Sequence, residues 1–127
     1  MSNEDIPDFS LEKAVKPIKI SGDDYVILEL NGRDRDKYLN DLTSRLRHTK
    51  DGNTAGVKNF EGLQGFLISL ALRKVNADES HTKIKLEIIQ SWPARVQKEI
   101  FKLAKELSLL DGDEGDKEDE DGDQGNE

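Results

Sequence analysis

The spacing of apolar and polar residues changes period several times along the chain, and each change marks an element. Val15, Ile18 and Ile20 lead into Ser21-Gly22-Asp23-Asp24, a cluster of turn formers. Tyr25-Val26-Ile27-Leu28-Glu29-Leu30 follows, rich in β-branched and aromatic residues. The two runs predict a β-hairpin over 15–30, closed by Asn31-Gly32. Pro17 has no amide for a ladder, so the first strand is an edge strand or begins after it. Before the hairpin, residues 1–12 show no period and read as a flexible N-terminal arm; Phe9 and Leu11 could dock on the body, but nothing requires it.

Beyond the hairpin the period becomes helical. Tyr38, Leu39, Leu42 and Leu46 share one face of a helix predicted over 33–48, with Asp34, Asp36, Lys37, Asp41, Arg45 and Arg47 on the other. Lys50-Asp51-Gly52-Asn53 ends it, and a polar loop runs to Asn59. A second helix is predicted over 60–75, its stripe running through Leu63, Phe66, Leu67, Leu70, Ala71 and Lys74 and widened by Ile68, Leu72 and Val75. A helix this apolar is central or has a second partner. Gly62 and Gly65 weaken its start and allow close helix packing. Residues 76–82 read as a loop. Residues 83–90 fit two patterns: Ile84, Leu86 and Ile88 alternate like a strand, whereas Leu86, Ile89 and Trp92 line a short helix, the reading preferred here. A last helix is predicted over 92–110, with Ser91 as N-cap, Pro93 in the first turn, and a stripe of Val96, Ile100, Leu103, Ala104 and Leu107. Asp111-Gly112 ends it. Phe101 lies at the margin of that stripe.

Charge changes this picture in one place. Residues 111–127 hold ten carboxylates, one lysine and no apolar side chain, a net charge of −9 against −8 for the whole chain. Residues 1–110 are therefore close to neutral, at about +1. The acidic character belongs to a tail whose composition predicts disorder, and the body lacks the basic excess of a nucleic-acid binder. The fold expected is mainly α, of the α+β kind: an N-terminal hairpin followed by a small bundle of three to four helices. It forms one domain over 13–110, enough for a modest core. No apolar run approaches the ~20 residues of a membrane span, and MSNEDIPDF carries no signal core, so a cytoplasmic location is expected.

The chain offers little for chemistry. It has no cysteine and two histidines, His48 and His81, both in polar, loop-like surroundings. Asp111, Asp113 and Asp116 resemble part of a calcium loop, but Gly115 and Asp116 stand where an oxygen ligand and a glycine are required. Gly52, Gly56, Gly62 and Gly65 match no phosphate-binding fingerprint. No catalytic residue, metal ligand or cofactor is expected, and the chain is expected not to be an enzyme.

The order of segments is familiar nonetheless. "KPIKISGDDYVILELN" (16–31) opens the domain, a charged helix carrying "YLNDL" follows, then "FEGLQGFLISLALRKVN" (60–76) and "IIQSWPARVQKEIFKLAKELSLL" (88–110). This resembles the tail assembly chaperones of long-tailed bacteriophages and prophages, over roughly residues 15–112. One departure is Ser108-Leu109-Leu110, where Asn-Gly or Ser-Gly would precede the final Leu. The resemblance implies a binding role without turnover. Such chaperones hold the tape measure protein in solution and help tail tube subunits polymerise around it, so both are the implied partners. No nucleic acid or membrane partner is expected, and self-association through the hairpin is open. Phe66, Leu70, Ile100 and Phe101 are expected to border the client surface. The competing expectations are a small acidic regulator or nucleic-acid mimic and a structural tail subunit.

Overall fold

The computed structural model describes residues 6–48 and 54–110, and for 47, 48, 54 and 55 the backbone alone. The element order is β1 (Val15–Ile20), β2 (Asp23–Leu28), α1 (Gly32–Ser44), β3 (Leu46–His48), β4 (Thr54–Val57), α2 (Leu63–Ala71), β5 (Leu72–Val75), β6 (His81–Lys83), α3 (Leu86–Gln90) and α4 (Ala94–Leu107). The fold is α+β. Four strands form an antiparallel sheet in the order β1-β2-β5-β6, β3 and β4 make a separate two-stranded ribbon, and there are four helices among the described residues. None of those helices is long and apolar enough to cross a membrane.

The hairpin stands where the alternation puts it. Ser21 (φ 51°) and Gly22 (φ 86°) both adopt the left-handed region, the two-residue turn whose twist matches that of the strands. It fixes Ile20 opposite Asp23, and the register continues to Val15 opposite Leu28. Beyond the strand, the Glu29 amide donates to the Ala14 carbonyl at 2.9 Å, and the Ala14 amide donates to the Glu29 carboxylate at 2.9 Å. β2 is flanked by β1 on one side and β5 on the other, so its apolar backbone has no free edge.

Several predicted boundaries move, the start of the second helix among them, from 60 to Leu63. The helix over 33–48 stops at Ser44, and Leu46–His48 turn into β3, which pairs with β4 inside the stretch read as loop. The helix over 60–75 ends at Ala71. Leu72–Val75 become β5, paired with β2 (Ile27 opposite Leu72) and with β6 (Lys74 opposite Thr82). Leu72 keeps the burial its helical spacing implied, but delivers it from a strand. The loop over 76–82 shortens to a turn, and His81 is an exposed strand residue rather than a loop one. Of the short helix preferred for 83–90, Leu86–Gln90 is present as α3, while Lys83 ends β6. The last helix begins at Ala94 with Pro93 as its N-cap, and Ser91 belongs to the preceding helix: its hydroxyl donates to the Ile88 carbonyl at 2.6 Å. It ends at Leu107, before Asp111-Gly112. Residues 1–5, 49–53 and the acidic segment 111–127 lie outside the described residues.

The core forms where α4 packs on β2 of the sheet and α2 packs in turn on α4. Ile27, Leu67, Ile68, Leu72, Ile89 and Leu110 are its fully buried side chains. Tyr25 meets Trp92 edge-on at 6.3 Å between centroids, fastening the α3–α4 junction to the sheet, and Tyr38 meets Phe101 at 6.4 Å, fastening α1 to α4. The Asn31 side chain caps α1 by accepting from the Asp34 amide at 2.8 Å. α2 packs against α1, α3 and α4, the central position its composition implied.

Candidate functional site

Of the four residues expected at a client surface, Leu70 (9% exposed), Ile100 (5%) and Phe101 (9%) are inside the core, and Phe66 is half-buried. Phe101 lies under the Lys105 ammonium, 5.2 Å from the ring centroid. The structure does not bring the four together as a surface. Large apolar side chains that do remain exposed on the body include Phe60 (70%), Ile88 (47%) and Leu86 (39%), at the near ends of α2 and α3.

Phe60 is held out by a strut from α1. The Arg45 guanidinium is paired with Asp41 in its own helix, Nε to Oδ2 at 2.7 Å, and donates onward to the carbonyls of Asn59 (3.3 Å) and Glu61. Its side chain is only 13% exposed, and the pairing with Asp41 is partly shielded from water while the two carbonyl bonds are open to it. The Glu61 amide donates to the Asn59 side chain at 3.1 Å, tightening the same loop. Gly62 then turns the chain with φ 78° into α2, and the Phe66 amide takes up its carbonyl at 2.8 Å.

Gly65 lets α3 approach. A Cβ there would lie 2.6 Å from Gln90 Oε1 and 2.9 Å from Leu86 Cδ1, so those side chains keep these positions only because residue 65 is glycine. Gln97 fixes the third wall: its Nε2 donates to the carbonyls of Trp92 (3.0 Å) and Gln90 (3.4 Å), tying the first turn of α4 to the end of α3. The result is an open cleft of about 220 Å³ lined by Phe60, Gly62, Leu63, Gln64, Gln90 and Gln97. Its chemistry is apolar contact plus amide hydrogen bonding. No lining side chain titrates. It is below the roughly 300 Å³ of a typical small-molecule pocket and suits a side chain presented by another surface.

Perturbed ionisation lies elsewhere and has structural causes. The Asp78 carboxyl is held below its usual value by the Ser80 hydroxyl (2.6 Å) and then the Ser80 amide (3.0 Å), inside the β5–β6 turn. The Lys19 ammonium is held above its usual value by its hydrogen bond and ion pair with Asp24 at 2.7 Å. Burial lowers Arg73, countered by Asp34. His81 is exposed. Among the described residues no group of three His, Asp or Glu could hold a metal ion.

Comparison with family models, with curated proteins and with solved structures gives no match. The cleft was hard to see in the sequence because Phe60 continues the apolar period of α2. The signal that separates it is local: Asn59-Phe60-Glu61-Gly62 places a lone aromatic between polar residues just ahead of a glycine.

Proposed function

We propose that this chain is a tail assembly chaperone, a binding protein without turnover that holds an apolar helical client, the tape measure protein, and keeps it soluble in the host cytoplasm while tail tube subunits assemble. Two things support the reading. One is the resemblance over residues 15–112. The other, which carries it on the molecule itself, is Phe60: a largely exposed aromatic, its loop braced by Arg45, at the lip of a cleft with no titratable lining. Apolar anchors of a helix would enter beside Phe60 and Leu63, and Gln64, Gln90 and Gln97 would meet its polar flank. The client surface is thus assigned to the near ends of α2, α3 and α4. The −9 charge of residues 111–127 would keep the loaded complex in solution by opposing non-specific aggregation.

The experiment is a pull-down from infected or prophage-induced cells with the full chain as bait and mass spectrometry as readout. Recovery of a very long, helix-rich phage protein, lost with Phe60→Asp and with the bait absent from finished particles, supports the chaperone. Recovery of nucleases or polymerases through residues 111–127 replaces it with the nucleic-acid mimic, and persistence of the chain in purified particles replaces it with a structural tail subunit.

A further inference from the structure

The two edges of the four-stranded sheet are not alike. The turn at Ser21-Gly22 makes Ile20 and Asp23 a hydrogen-bonded pair, and the Glu29-to-Ala14 bond has the same parity. Even-numbered residues of β1 therefore address β2, and Val15, Pro17 and Lys19 face outward. Pro17 sits in the middle of that row without an amide, which closes the β1 edge to another strand. On the far side, the Asn76 amide donates to the Ser80 carbonyl at 2.8 Å, and Lys74 stands opposite Thr82. Thr82 therefore addresses β5, while His81 and Lys83 turn their amides and carbonyls outward. No proline or bulge protects them; the strand is three residues long and its one charged guard is Lys83. The β6 edge is open.

Next to the closed edge the chain carries an unused strand. Residues 6–14 are exposed throughout and belong to no helix or strand. Phe9 is 82% exposed and Leu11 97%, two residues apart and so on one face if the segment is extended. The donor stretch 8–13 carries Asp8 and Glu12 against the single Lys13, a net charge of −1, and the open edge is basic at Lys83 and Lys85, with His81 beside them, all exposed. The acids nearest that edge are Asp78, already engaged by Ser80, with Glu79 and Glu87. Leu86 and Ile88, partly exposed on α3, follow β6 within five residues. The arm leaves from β1 and the acceptor is β6, three strand spacings away, about 14 Å, across the sheet.

We infer that residues 8–13 of one copy add as a fifth strand to the β6 edge of a second copy, with Phe9 and Leu11 seated against Leu86 and Ile88. Donor and acceptor lie on opposite sides of one molecule, so the contact is head-to-tail. It continues from copy to copy until the rotation closes a ring. The inference does not depend on the client reading.

The test is sedimentation velocity of the full chain over a wide concentration range, with circular dichroism to confirm that every variant folds. The wild type should grow past a dimer as concentration rises. Phe9→Asp with Leu11→Asp should weaken association by about 100-fold or more, since both anchors are lost. Lys83→Pro removes an outward donor while sparing the bonds to β5, and Lys83→Glu with Lys85→Glu reverses the edge charge should the proline disturb folding; either should do the same. An equimolar mixture of the arm variant and an edge variant should form one heterodimer and stop, because one intact arm meets one intact edge. A wild type that stays monomeric at high concentration, a closed symmetric dimer, or a mixture that stays monomeric overturns the proposal. So does a monomer whose arm amides are protected from exchange, which would place the arm on its own body.

Discussion

The amide of Leu110 donates to the carbonyl of Lys105 at 2.8 Å, across a turn whose pivot, Leu109, has φ 58°. With the Leu109 amide on the Glu106 carbonyl (3.2 Å), this is the left-handed helix end at which glycine is the usual pivot. The turn swings Leu110 fully into the core while Leu109 stays 81% exposed. Leu109→Gly should therefore stabilise the fold by about 0.5–1 kcal/mol, since it relieves a strained backbone and gives up almost no burial. Thermal unfolding should show a rise of a few degrees. Leu110→Ala should cost about 2–5 kcal/mol.

A second residue is held the same way. Glu79 has φ 71° in the turn between β5 and β6, where the Glu79 amide meets the Asn76 carbonyl at 2.8 Å. A three-residue hairpin loop places glycine at this position. Glu79→Gly should raise stability by a similar amount, and the two substitutions should add within about 0.5 kcal/mol because they share no neighbour. Urea unfolding of the single and double variants checks both.

Gly65→Ala should separate stability from binding. The new methyl pushes on Gln90 Oε1 and Leu86 Cδ1, both ends of flexible side chains on partly exposed residues, so they swing aside. The helix gains about 1 kcal/mol of propensity in return, and overall stability should change by less than that. The cleft loses its Gln90 wall, and client capture should fall. Calorimetry beside the pull-down reads both; a large loss of stability would contradict the account.

The turn at Asp78 should leave a pH signature. Its carboxyl lies below the usual 3.8 because Ser80 holds the charged form. Its contribution is present above that usual value and is lost as pH falls through the lowered one. The stability gap between wild type and Asp78→Ala should hold from neutral to mildly acidic pH and close in strong acid. Lys19 runs the other way: raised above 10.5 by Asp24, its contribution is present at neutral pH and lost as pH climbs through the raised value. Ser80→Ala should erase most of the acid-side difference.

The hairpin and α4 were legible because each has a local cause: turn formers between alternating runs, and a stripe of Val96, Ile100, Ala104 and Leu107 at helical spacing. β5 was not, because Leu72 and Val75 continue the helical stripe of α2, and only the pairing of Leu72 with Ile27 and of Lys74 with Tyr25, far away in sequence, with Val75 opposite His81, makes the segment a strand. The site suffered the opposite error. Leu70 and Ile100 lie on apolar stripes whose partners a helical wheel does not show, and Phe101, at the margin of its stripe, packs against Tyr38, whereas Phe60 stands on a loop that Arg45 holds by the Asn59 and Glu61 carbonyls.

Ala71 is the last residue of a helix and Leu72 the first of a strand, with nothing between them. A joint with no linker has no play. The cleft lip sits at one end of α2 and the central β5 at the other, so the two are the ends of a single stiff lever some nine residues long. If the proposed client seats beside Phe60, the α2–β5 junction gives it no hinge to move, and its selection would rest on the shape already present.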